Sequence, residues 1–94
     1  MIVRWLKSAL LSRQNQIAYV EARNVWAAID LDDAITRAIT FLAKHPLAGR
    51  VGRVSSTREF AVAGTPYLLA YRVTADSVVI IRVMHGAQNW PPAS

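Results

Sequence analysis

The sequence predicts an α+β fold: an antiparallel sheet covered on one face by an antiparallel helix hairpin, with elements in the order β-α-α-β-β-β. Three observations carry this. Thr57 to Pro91 reads as three short strands punctuated by turns, and the last two are apolar on both faces, which demands helical cover on at least one of them. Residues 25–44 carry a helical ladder of apolar side chains. Almost nothing separates that helix from the one before it, so the two must fold back on each other. A chain of 94 residues has room for one core, so residues 1–94 are read as a single domain.

The first element is a short strand over Ile2–Leu6, at a sheet edge or beside the C-terminal strands. Ser8 offers a helix N-cap, and the first helix is expected from Ala9 to about Arg23. Leu10, Gln14, Ile17 and Glu21 lie along one side, Leu11, Ala18 and Ala22 beside them, and Arg13, Gln16 and Arg23 opposite.

Asn24 caps the second helix, Val25 to about Lys44, whose core face is Ala28, Leu31, Ile35, Ala38, Ile39 and Leu42. Asp30, Asp32 and Asp33 stand in its first half, Arg37 and Lys44 in its second, as the helix dipole favours. His45-Pro46 ends it, because a residue before proline is pushed out of the helical region. Trp26 and Phe41 fall off the ladder, and either cover the hairpin's edge or line a groove for a partner.

Leu47 to Val54 reads as a loop that presents Arg50 and Arg53 to solvent. Strands follow at Arg58–Val62, Tyr67–Val73 and Val78 to Met84 or His85. Gly64 supplies a positive φ in the turn Ala63–Pro66, and Thr74–Ser77 joins the last two strands. A four-residue connection puts Tyr67, Leu69, Tyr71, Val73, Val78, Ile80, Arg82 and Met84 on one face. Leu68, Ala70, Arg72, Val79, Ile81, Val83 and His85 take the other.

Bulk properties narrow the partners. The chain is 53% hydrophobic and 18% charged, too apolar for a disordered tail. Its formal charge of +5 is attractive to nucleic acid or an acidic protein. Without cysteine there is no disulfide or thiolate metal site. No secretory leader pattern or membrane-length apolar run is present, so a cytoplasmic location without a membrane partner is expected. The two histidines are far apart in sequence and no phosphate-binding glycine motif occurs, so neither metal nor cofactor is expected.

What remains is Arg58, Tyr71, Arg72, Arg82 and His85, on or near the sheet. Cleaving RNA needs a proton acceptor, a proton donor and a cation for the phosphorane. A ribonuclease would draw these from Arg72, Arg82 and His85, yet the alternation splits Arg72 and His85 from Arg82 and Tyr71. In the structural alternative Arg58 pairs with Glu59 or Asp76 and Tyr71 belongs to the core.

Pro46-Leu47-Ala48-Gly49-Arg50, Thr57-Arg58-Glu59-Phe60, Tyr67 to Val73, and the closing strand that runs into His85-Gly86-x-x-x-Trp90-Pro91 resemble the RelE/ParE superfamily of toxins from type II toxin–antitoxin modules. The likeness spans residues 25–91 and reaches residues 1–24 in outline. Leu11-Ser12-Arg13 stands where the family usually has an acidic residue and Leu. The resemblance implies a toxin held inactive by an antitoxin from the same operon. RelE-like members cut messenger RNA on the ribosome, whereas ParE-like members poison DNA gyrase. Leu68 stands where the nucleases carry an arginine, so the pattern is closer to ParE. That implies a protein-binding inhibitor of gyrase with no catalytic residue and no sequence-specific DNA binding of its own. The expected target contacts are Arg58, Arg72, Arg82, His85 and Trp90, and the expected antitoxin contacts Trp26, Phe41, Arg50 and Arg53.

Overall fold

A computed structural model describes residues 1–91. The elements are β1 (Ile2–Trp5), α1 (Lys7–Glu21), α2 (Val25–Lys44), β2 (Arg50–Val51), β3 (Arg58–Ala61), β4 (Tyr67–Val73) and β5 (Ser77–His85). They build a five-stranded sheet of order β1-β5-β4-β3-β2 with both helices on one face.

The sheet is antiparallel from β2 to β5, but β1 joins it parallel to β5, so it is mixed rather than wholly antiparallel. Strands joined by tight turns must run antiparallel; β1 is separated from β5 by the whole helix hairpin and three strands, which leaves a parallel pairing open to it. The expected loop at Leu47–Val54 contains the two-residue strand β2, closed onto β3 by the Gly52 N–H donating to the Thr57 carbonyl at 2.8 Å.

The second helix forms as its residues dictate. The Asn24 side chain accepts from the Ala27 N–H at 3.0 Å, and the helix ends before His45-Pro46. Ala28, Leu31, Ala34, Ile35, Ala38 and Leu42 bury one face against Leu69, Tyr71, Val78, Ile80 and Val83 of the sheet. Ile39 is only partly buried at the margin of that core. Gly64 adopts φ +77°, as its turn requires.

The first helix departs from expectation. It starts at Lys7 with Leu6 as N-cap, makes no side-chain cap, and buries only Ala9 fully. Its inner side carries Ser12, Arg13, Gln16, Ile17 and Val20, while Leu10 and Leu11 are exposed. Arg13 and Gln16, expected to face solvent, therefore face inward. The reason is the edge of β5. β1 pairs with β5 only as far as Ile80, and beyond it α1 supplies the missing partners. The Ser12 Oγ accepts from the Val83 N–H at 3.0 Å and donates to the Ala9 carbonyl at 2.8 Å, while the Ser8 hydroxyl donates to the Ile81 carbonyl at 3.4 Å. Arg13 binds Asp32 of α2 at 2.7 Å and lies over the Trp5 ring at 5.2 Å, tying both helices to β1.

Candidate functional site

The register of β4 on β5 decides which side chains meet. Val73 faces Val78 across the four-residue connection, and Tyr71 faces Ile80. The next pair is Ala70 with Arg82, so Ile81 is an extra residue in β5, a β-bulge. Past the bulge every β5 side chain changes face. Arg82 and Met84 join Leu68, Ala70, Arg72 and Val79 on the helix-free face, while Val83 and the exposed His85 join Tyr67, Leu69 and Tyr71 on the helix side. The expected separation of Arg72 from Arg82, and the grouping of Arg72 with His85, are therefore reversed.

The helix-free face is basic. Arg4 of β1 and Arg72 are exposed on it, and Arg82 is half-buried. The segment after β5 brings Trp90 to this same face, with the Arg82 guanidinium 5.7 Å from the centre of its ring. Two buried N–H donors stand at this contact without an acceptor among the described residues, the Nε of Arg82 and the Nε1 of Trp90.

The other candidate arginines, Arg50, Arg53 and Arg58, are fastened to the fold. Arg58 belongs to the helix-side face, where it donates to the Gly49 carbonyl at 2.8 Å and the Leu47 carbonyl at 3.3 Å. It pairs with neither Glu59 nor Asp76. Arg50 and Arg53, expected to be free in a solvated loop, both bind Glu59, at 2.9 and 3.1 Å. The Glu59 side chain is fully shielded from solvent. Burial alone would push its carboxyl up, but the Arg53 backbone N–H and the Arg53 and Arg50 guanidinium groups outweigh it and hold the carboxyl at about 2. The outer flanks of Arg50 and Arg53 remain exposed, at 67% and 41% of their side chains.

Tyr71 is wholly buried, and its hydroxyl accepts from the Gly49 N–H and donates to the Pro46 carbonyl. Burial raises its pKa, against the opposing pull of that N–H and of Arg58. The Pro-x-x-Gly-Arg pattern is thus the seat of the α2–β2 loop on the sheet.

On the helix side, Phe41 stacks on Phe60 of β3 with ring centres 5.7 Å apart. With Ala34, Arg37, Ala38 and Ala63 these rings line an open apolar groove between α2 and β3. Trp26 stands four turns away along α2, roughly 22 Å at 1.5 Å per residue, and is 77% exposed. The two aromatics expected to form one edge are therefore separate features. A second cleft, lined by Tyr19, Asp30, Tyr67 and His85 among others, lies where the helix hairpin meets the β3–β4 turn. His85 meets Tyr67 there edge to face at 5.5 Å.

The helix-free face holds Arg4, Arg72 and Arg82 together with the Trp90 ring. Glu59, the carboxylate on that face, is kept ionised by two arginines, and His85 and Tyr71 lie on the opposite side of the sheet. Among the described residues no three His, Asp or Glu side chains gather closely enough to hold a metal, and no helix is long and apolar enough to cross a membrane. The residues that sequence reasoning missed are Ser12, Arg13 and Glu59. A buried-face serine carried no periodic signal, whereas a lone glutamate between nearby arginines did offer one.

The family model described as "ParE toxin of type II toxin-antitoxin system, parDE" matches residues 3–90. The chain is 40% identical over 89 residues to the protein named "Putative toxin Y4kP" from Sinorhizobium fredii, an alignment covering 95% of this chain and 92% of that protein. In three dimensions it matches a structure titled "Chromosomal ParDE TA system from P. aeruginosa" with a TM-score of 0.80 at 18% identity, over 90% of this chain and 95% of that one. At that identity the structural likeness concerns the fold.

Proposed function

The chain belongs to the ParE toxin family of type II toxin–antitoxin systems, and from that premise we propose that it arrests growth by docking on DNA gyrase through its helix-free sheet face. One observation carries this reading. That face offers Arg72, Arg82 and Trp90 for recognition but, among the described residues, no side chain suited to moving a proton near neutral pH. The RelE-like alternative needs His85 beside Arg72 and Arg82, and the sheet stands between them. A cation-rich face with an aromatic ring suits an acidic protein surface, since the arginine fork matches carboxylate geometry. The orphan N–H groups of Arg82 and Trp90 favour a partner that brings acceptors.

Membership of a toxin–antitoxin family implies a cognate antitoxin. We assign its principal seat to the apolar groove between α2 and β3, where Phe41 and Phe60 form the floor and Arg37 the rim. An amphipathic antitoxin segment with acidic flanks fits that groove, and Arg50 and Arg53 offer their exposed flanks to the same partner. Trp26 is a further contact for a longer segment.

The test is a cleavage reaction with purified gyrase and supercoiled plasmid. The expected result is accumulation of cleaved plasmid as the protein is added. Normal supercoiling at excess protein overturns the reading. New messenger ends on translating ribosomes, lost in His85→Ala, would replace it with the ribonuclease. Unchanged growth on induction without antitoxin would leave only a partner-binding fold.

A further inference from the structure

The residue that the ribonuclease reading would use for chemistry is bonded into a turn. His85 makes three hydrogen bonds to the segment that follows it. Its Nδ1 accepts from the Ala87 N–H at 3.1 Å, its carbonyl accepts from the Gln88 N–H at 2.9 Å, and its own N–H donates to the Gln88 Oε1 at 3.3 Å. The preceding ladder is anchored one residue further, by the Gly86 N–H donating to the Pro66 carbonyl at 2.7 Å. The chain therefore leaves β5 through a turn closed from both sides by one residue. His85 itself stands at the exposed end of β5 on the helix-side face, whereas Trp90, five positions on, lies against Arg82 on the opposite face. The turn is what carries the chain from one face to the other.

We propose that His85 is a positioning residue: its Nδ1 lone pair closes the turn that seats Trp90 against Arg82, and so completes the recognition face. This rests on the reading that the helix-free face is the docking surface. The spacing of the closing motif, His85-Gly86-x-x-x-Trp90, follows directly. The turn places an acceptor side chain at its start, where His85 Nδ1 takes the Ala87 N–H, and the residues that follow lead to Trp90. Nδ1 can accept only while it bears no proton, so the role is that of a hydrogen-bond acceptor and not of an acid. An asparagine in the same place can do this work, because its side-chain oxygen accepts from the N–H two residues on.

The experiment uses the full chain with Trp5→Phe and Trp26→Phe, so that Trp90 is the only indole emitter. His85 is exposed, so His85→Ala should keep the parent far-UV circular dichroism. The expected result is a red shift of Trp90 emission and easier acrylamide quenching in His85→Ala, restored to the parent in His85→Asn. Gln88→Ala, which removes the return bond to the His85 N–H, should shift emission the same way. Cleaved-plasmid formation with gyrase should fall in His85→Ala and recover in His85→Asn. Unchanged Trp90 emission in a folded His85→Ala, or an His85→Asn that behaves like alanine, overturns the positioning role. The predicted emission pattern with no gyrase response from any variant supports the positioning role and sinks the gyrase reading instead.

Discussion

The hydroxyl of Tyr71 accepts a hydrogen bond from the Gly49 N–H at 2.8 Å and donates one to the Pro46 carbonyl at 2.8 Å. One buried phenol thus satisfies both ends of the loop that leads from α2 into the sheet. In Tyr71→Phe the Gly49 donor and the Pro46 acceptor lose their partner, and the expected loss of stability is about 1–3 kcal/mol by urea denaturation. Gly49→Ala should cost more, because its Cβ would stand 2.5 Å from the Tyr71 hydroxyl and 2.9 Å from the Glu59 carbonyl. A parental urea midpoint for both variants would mean that the loop is seated by other contacts.

Glu59 makes stability depend on pH in a defined window. Its carboxyl falls from an ordinary 4.5 to about 2 in the folded chain. A depressed carboxyl contributes fully above the unfolded value and loses its contribution as pH falls through the folded one. The window is therefore pH 4.5 down to 2, and the contribution lost is on the order of 3 kcal/mol. Glu59→Gln should be less stable than the parent at pH 7, with the gap closing across that window. Parallel stability curves for parent and variant from pH 5 to pH 2 would show that the two arginines do not hold the carboxylate as described.

How much of this was legible in the sequence depends on what each residue serves. The second helix was, because its ladder exists to fill a core and nothing competes with that periodicity. So were the Gly64 turn and the Thr74–Ser77 connection, whose residue types follow from backbone geometry. The facing of Arg82 was not. Val78 to Ile81 is an unbroken apolar run, so a bulge at Ile81 leaves no break in alternation, and every face assignment beyond it inverts. The inner side of α1 was hidden for the opposite reason. Ser12 and Arg13 face inward because they complete the edge of β5 and bind Asp32, which makes the buried side of that helix look like a solvated one.

That inversion can be tested at Ser12. Its hydroxyl is the acceptor for the Val83 N–H on a stretch of β5 that β1 does not reach. Ser12→Ala leaves the donor without a partner, at an expected cost of about 1–3 kcal/mol, whereas Ser12→Thr keeps the acceptor. Amide exchange at Val83 should quicken in the alanine variant beyond what its global stability predicts. If Ser12→Ala is as stable as the parent, α1 is held to the sheet by packing alone.

Arg72 and Arg82 share a face but differ in what else they do, and this separates recognition from folding. Arg72 is exposed with no ion-pair partner among the described residues, so Arg72→Glu should move stability by no more than about 0.5 kcal/mol. Arg82 is half-buried against Trp90, so Arg82→Ala should cost about 0.5–2 kcal/mol through the lost ring contact. Both should abolish formation of cleaved plasmid with gyrase, and both should keep antitoxin affinity, measured by calorimetry, because the groove at Phe41 and Phe60 is on the other side of the sheet. Docking by exposed arginines should also weaken as salt rises past the point where the screening length falls to about 8 Å, near 0.15 M. Full gyrase poisoning by Arg72→Glu would remove the helix-free face as the docking surface. Loss of antitoxin binding in the same variant would mean that the antitoxin reaches around the sheet to cover it.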